Sequence, residues 1–230
     1  MKTDSPSIHP ERVVDQAPRP QELPPEIREN FAVVIPAYNE VENVPALFEA
    51  VAETFARHDL NGEVILVDDG STDGTYEAAV AHAGRLKRAR VLRHRRNLGK
   101  TEALVTGAAA AESDYIILFD ADLQHSPEEF PRFLAKLAEG WDIVAGRKVG
   151  AYEKRAVSSV YNWLSNRLFD VPARDLNSMK AFRRQILDEV PLRHDWHRFF
   201  IVLAYARGYT VTEIDIDLYP RRAGVSKYTG

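Results

Sequence analysis

Five short runs recur along the chain, each of a length that suits a strand and each followed by a turn or a helical pattern. They are Phe31 to Ile35, Val64 to Val67, Ala89 to Leu92, Tyr115 to Phe119 and Asp142 to Ala145. The continuous apolar runs at Phe31 and Tyr115 read as strands buried in the sheet, the signature of a parallel arrangement. Between them lie amphipathic stretches. Val44, Leu47, Phe48, Val51 and Phe55 make one helical stripe, and Phe130, Phe133, Leu134 and Leu137 another. Ser126 caps the second, with Pro127 at its first position and Glu128 and Glu129 in its first turn. A third helix, opening after Gly99, carries the small residues Ala103, Gly107, Ala108 and Ala111, which allow close approach to the sheet. Alternating strand and helix predicts an α/β fold, a mostly parallel sheet with helices on both faces.

In such a sheet the ligand lies beyond the carboxyl ends of the strands, so the residues that end each run bear most on function. The Tyr115 run ends in Asp120-Ala121-Asp122-Leu123-Gln124. In extended chain Asp120 and Asp122 point to one side, with the small Ala121 between them. Two carboxylates and an amide are hard oxygen donors suited to Mg²⁺ or Mn²⁺ bridging a diphosphate. The Val64 run ends in Asp68-Asp69-Gly70-Ser71-Thr72-Asp73-Gly74, which serves equally as turn, helix cap or ligand contact. The first run breaks at Pro36 and continues as Ala37-Tyr38-Asn39-Glu40. Gly99-Lys100-Thr101 matches the end of a phosphate-loop pattern, but that pattern needs a glycine where His94 stands, so it is rejected. No G-x-G-x-x-G follows the first strand, which leaves a dinucleotide-binding oxidoreductase without support.

Composition narrows the class further. The chain has 230 residues, 45% of them hydrophobic, enough for one domain core. Without cysteine it has no disulfide, thiolate metal site or thiol nucleophile. No run approaches the roughly 20 apolar residues of a membrane span, and the polypeptide reads as soluble. Residues 1–30 hold six prolines, many charges and few large apolar residues, and predict an extended tail. Residues 1–146 carry 15 Lys and Arg against 25 Asp and Glu, whereas residues 147–230 carry 15 against 9. The basic balance places an anionic acceptor or membrane surface in the second part. The basic stretch Arg85 to Arg96 reads as surface, and no nucleic-acid partner is expected. Beyond the fifth strand, residues from about 153 to 169 read as helix, Phe199 to Ala206 as a short buried helix, and Thr210 to Tyr219 as a half-buried strand. The last segment ends in Pro220-Arg221-Arg222-Ala223-Gly224-Val225-Ser226-Lys227-Tyr228.

Four segments in order, Val34 to Glu40, Val67 to Asp73, Asp120 to Gln124 and Arg221 to Tyr228, resemble the motifs of family 2 inverting glycosyltransferases of the GT-A fold. The resemblance runs from about residue 31 to the end, and within the family it is strongest to the polyprenyl-phosphate sugar transferases, the dolichyl-phosphate mannose synthase group. It implies a GT-A domain over 31–230, with a nucleotide-sugar half over about 31–146 and an acceptor half over about 147–230. Pro36, Tyr38, Glu40, Val67 and Asp69 match positions that hold the base and ribose, Asp69 by accepting hydrogen bonds from the base. Asp120 and Ala121 match nucleotide contacts. Asp122, assigned the catalytic carboxylate, matches a metal pair with Gln124. Arg147, Arg221 and Lys227 match cations around the diphosphate, and Arg155 and Ser159, one helical turn apart, face the acceptor phosphate. His197-Arg198-Phe199 also resembles a family segment near the acceptor.

The implied reaction moves a hexose from GDP-mannose or a UDP-sugar to a polyprenyl phosphate, with Mg²⁺ or Mn²⁺, at the cytoplasmic face of a membrane. An ionised phosphate attacks the anomeric carbon without a general base, and single displacement inverts it. A hydroxyl acceptor on a saccharide is the alternative and needs a base, for which Asp175 is the candidate. A nucleotide-binding module without catalysis is the rival from another class. Many relatives continue past the Ser-Lys-Tyr segment into membrane helices whereas this sequence ends at Gly230, and a truncated catalytic part is expected.

Overall fold

Phe31–Ala37 (β1) is buried at every position, as its uninterrupted apolar sequence requires. The computed structural model describes residues 23–149, 173, 175, 176, 178–190, 192 and 199–220. Around β1 the chain builds a seven-stranded sheet from Glu63–Asp68 (β2), Ala89–Arg93 (β3), Tyr115–Leu118 (β4), Ile143–Val149 (β5), Lys180–Arg183 (β6) and Val211–Asp217 (β7). Their order is β3-β2-β1-β4-β6-β5-β7, with β6 antiparallel to both its neighbours and the other pairs parallel. Six strands therefore point their carboxyl ends to one edge, and β6 begins there. The fold is α/β and mostly parallel, as predicted.

Alternation along β1 splits the core in two. Phe31, Val33 and Ile35 pack with Val44–Arg57 (α2) and Phe130–Ala138 (α5), while Ala32 and Val34 face Lys100–Ala110 (α4) on the other side. The small residues of α4 do what their size predicted. A Cβ on Gly107 would lie 2.4 Å from Cγ1 of Val34, so only glycine lets this helix seat on the sheet. The remaining helices are Pro25–Glu29 (α1), Thr75–Ala83 (α3), a 3₁₀ turn at Pro127–Glu129, and the short helices Ile186–Glu189 and Phe200–Tyr205. The last of these meets the expectation for Phe199 to Ala206, while the helix expected near 153–169 lies outside the described residues.

Three features depart from the sequence reading. The extended segment expected through residue 30 gives way to α1, whose Ile27 is buried with Leu23 in the core beside α5. Strand β1 does not end at Pro36. Its backbone there faces the β4 side, because the Phe119 amide donates to the Val34 carbonyl at 3.1 Å while the Asp69 amide donates to Ala37 on the β2 side. The β4 pairing stops at Leu118, so the missing proline donor faces no lost partner. Strand β6 was not foreseen. It has four residues, two of them basic, and its place is set by pairing with β4 and β5 rather than by its own pattern.

Candidate functional site

The loops that leave β1 and β2 lock into each other before either reaches a ligand. Asn39 sits in the left-handed region at φ 54°. Its amide donates to Ser71 Oγ at 2.9 Å, and its side-chain oxygen accepts from the Thr72 amide at 2.9 Å. Next along the chain, the Glu40 amide donates to Thr75 Oγ1 at 2.8 Å and the Val41 amide to Asp73 Oδ2 at 3.2 Å. Asp73 also accepts from the Thr75 amide and hydroxyl. The Ser-Thr-Asp-Gly-Thr residues of the second motif are thus the scaffold for the first, holding Tyr38 and Glu40 at the strand edge. Glu40 is buried and takes a 2.6 Å hydrogen bond from Asn43. Pro36 and Val67, both expected near the base, are register partners. Val67 is buried under α4, so its backbone is what it can present to a ligand.

Asp68 and Asp69 are both fully buried. Asp68 accepts from the Ser71 amide at 3.2 Å and faces Nε of Arg93 at 3.2 Å. Asp69 turns to the loop after β3, where His94 Nδ1 and the Leu98 and Gly99 amides point at its oxygens from 2.8 to 2.9 Å. Gly70, at φ 73°, makes this possible. A Cβ there would lie 2.4 Å from the Arg96 carbonyl carbon.

At the end of β4 the chain turns sharply. Asp122 Oδ1 accepts from the Gln124 amide at 3.1 Å while Leu123 adopts φ 54°, a conformation rarely taken by a non-glycine residue. The turn fixes the Asp122 carboxylate against the Gln124 backbone, and it is held from both sides. Tyr219, just past β7, donates its amide to the Gln124 carbonyl at 2.8 Å. Downstream, Glu128 accepts from Thr54 and Arg57 at 2.9 and 2.7 Å and pairs with His58 at 2.8 Å, tying the 3₁₀ turn to α2. Ser126 caps that turn through the Glu128 amide, as its sequence position predicted. His125 is buried, and burial pushes its imidazole below the usual range despite the nearby Asp120 carboxylate.

Asp120 is one-third exposed and forms an ion pair with Lys100, the first residue of α4. Burial works to raise its carboxyl, but Lys100 outweighs that and holds it at about 2. A second lysine closes the floor. Lys180 opens β6 opposite Leu118 and Ala145, is 2% exposed, and donates to the Leu176 carbonyl at 3.2 Å. Burial, with Lys100 nearby, pushes its ammonium down to about 7. Neither lysine was among the expected site residues. Lys100 was set aside with the failed phosphate-loop pattern, and Lys180 lies in the unforeseen strand.

Arg147 and Asp175 reach the same edge with partners already in place. Arg147 Nε donates to Asp215 at 2.6 Å across the β5–β7 pair, and its guanidinium lies 3.9 Å from Glu213. Asp175 lies 3.7 Å from Lys148 Nζ, and its amide donates to Glu213 at 3.2 Å. Arg155, Ser159, His197, Arg198, Arg221 and Lys227 lie outside the described residues.

A mostly parallel sheet of this order, with acidic residues at its strand ends, is the architecture of the GT-A fold. Residues 32–206 match the model of glycosyl transferase family 2, and the chain belongs to that family. The undecaprenyl-phosphate 4-deoxy-4-formamido-L-arabinose transferase of Proteus mirabilis is 32% identical over 204 residues, an alignment covering 86% of this chain and 62% of that protein. The protein of the same name from Pectobacterium carotovorum is 34% identical over 206 residues, covering 87% and 63%. The chain thus spans less than two thirds of the length of these relatives. Among solved structures, glucosyl-3-phosphoglycerate synthase from Mycobacterium tuberculosis, in complex with Mn²⁺, UDP and glucosyl-3-phosphoglycerate, superposes with a TM-score of 0.70. It is 21% identical, over 86% of this chain and 73% of that one. The same enzyme with Mg²⁺ and UDP gives 0.70 at 20% identity, with the same coverage. These likenesses establish the fold.

Proposed function

We propose that this chain is the catalytic domain of a glycosyltransferase that moves a sugar from a nucleotide-sugar donor to a polyprenyl phosphate, with inversion. The observation that carries the reading is the Asp122-Leu123-Gln124 turn at the end of β4, bonded to the chain leaving β7. Tyr219, whose amide donates to the Gln124 carbonyl, stands two residues before Arg221 in the sequence, which supports reading the two motifs as parts of one site. The names of the relatives, which specify an undecaprenyl phosphate, support the acceptor class.

Asp122 and Gln124 offer one carboxylate and one amide oxygen, a hard donor set that fits Mg²⁺ or Mn²⁺. A cation held by Asp122 and Gln124 would supply positive charge to stabilise a departing nucleoside diphosphate. Pro36, Tyr38, Glu40, Val67 and Asp69 surround the base and ribose, and Asp120 and Ala121 face the donor from below. Arg147, Arg221 and Lys227 add positive charge around the diphosphate, while Arg155 and Ser159 hold the acceptor phosphate. That phosphate is ionised at neutral pH and attacks without a base. The nucleotide-sugar half is residues 31–146 and the acceptor half 147–230.

Among the described residues no helix is long and apolar enough to cross a membrane. A lipid acceptor places the reaction at a membrane surface, on the cytoplasmic side where nucleotide sugars are made. A saccharide hydroxyl acceptor is the second reading, favoured by the position of Asp175 at the same edge as Lys148 and Glu213. Nucleoside diphosphate release after chelation and stepwise return of Mn²⁺ or Mg²⁺ tests the metal assignment. Asp122→Ala is expected to lower turnover by about a hundredfold or more at any metal concentration. Turnover unaffected by chelator would reject the assignment.

A further inference from the structure

Asp69 is completely buried, and a buried carboxylate persists only where donors surround it. All its side-chain donors among the described residues come from one loop. His94 Nδ1 lies 2.8 Å from Oδ1, the Leu98 amide donates to the same oxygen at 2.9 Å, and the Gly99 amide donates to Oδ2 at 2.8 Å. Because an ionised carboxylate only accepts, Nδ1 of His94 must carry the proton of that contact. The other ring nitrogen, Nε2, lies 2.9 Å from Thr106 Oγ1 on α4, and the His94 amide donates to the Asp68 carbonyl at 2.8 Å. The ring is fixed at both nitrogens and through its own backbone.

We propose that His94 is a positioning residue for the donor-nucleotide pocket. Braced by Thr106, its imidazole sets the plane of the Asp69 carboxylate and thereby the Leu98 and Gly99 amides, so that the loop after β3 keeps its place against the end of β2. The inference rests on the reading of Asp69 as a nucleotide contact. An imidazole suits the task because it supplies a single N–H along a rigid ring direction. The neighbouring arginine does not compete, since Arg93 reaches back to Asp68 and Glu77.

Calorimetric titration of GDP and of UDP, with Mg²⁺, into the full chain tests the proposal. The unaltered protein is expected to bind one of the two, and His94→Ala to bind it about tenfold or more weakly. His94→Asn, whose amide nitrogen falls near the place of Nδ1, should recover most of the loss, and Thr106→Val should cost about threefold. In turnover the same variants should raise the donor KM while kcat stays within about twofold, the pattern of lost binding. Equal affinity in His94→Ala, or an Asn variant as weak as the Ala variant, would overturn the role. Should His94→Ala not fold, unchanged affinity in Thr106→Val overturns it. An unaltered chain that binds neither nucleotide refutes the donor-site reading itself, and the inference falls with it.

Discussion

Gly70 and Leu123 both lie at positive φ, and the chain tolerates them for opposite reasons. Gly70 has no side chain to collide with Arg96 and Asn97, whereas Leu123 is a buried leucine held in an unfavourable region by the bonds around it. Gly70→Ala is therefore expected to cost about 1–3 kcal/mol in urea unfolding, and to weaken nucleotide binding in parallel because Asp69 and residues 94–99 shift together. Nucleotide affinity unchanged at lower stability would separate the loop from the pocket. Lys180 gives a pH signature. Its folded pKa of about 7 lies below the ordinary 10.5, so between those values the unfolded chain holds a proton that the folded chain lacks. Stability contributed at this position therefore rises as pH climbs from about 7 toward 10. Lys180→Met removes the buried charge, and its stability advantage over the parent should shrink across that window. A difference constant with pH would place the ammonium in a solvated setting instead.

At the scale of elements, whatever depends on a run's own composition was readable in the sequence. The strands β1, β2 and β4 and the helices α2 and α5 announce themselves by apolar runs and stripes, because burial acts on their side chains one by one. The close seat of α4 was also readable, from Gly107 and its small neighbours. Gly107→Val should drive a branched side chain into Val34 and cost about 1–3 kcal/mol by thermal or denaturant unfolding, with the donor site otherwise formed. A stability near that of the parent would mean that the helix can move off the sheet. Strand β6 was hidden because Lys180 and Arg183 break its apolar pattern, and only pairing with β4 and β5 makes it a strand. Helix α1 was hidden by the prolines before it, though Leu23 and Ile27 carry the spacing of a buried turn.

Much the same division holds at the site. The acids at strand ends were visible as a motif, but their partners come from distant sequence. Asp120 meets Lys100, Asp69 meets His94, and Arg147 meets Asp215, pairs that only the sheet order brings together.

Across the whole molecule, the parallel strands bring the loops after β1 and β2, the Asp122-Leu123-Gln124 turn and Tyr219 to one edge. The proposed function assigns the acceptor to the half that carries the basic excess, a division suited to two anionic substrates. The measurement that bears most directly on this account is nucleoside diphosphate release from a panel of GDP- and UDP-sugars, with Mg²⁺ or Mn²⁺, in the presence and absence of a short polyprenyl phosphate. The account predicts release from one donor only when the lipid phosphate is present, and none from Asp122→Ala. Release that is indifferent to the lipid but lost in Asp175→Asn would contradict it and make a hydroxyl the acceptor.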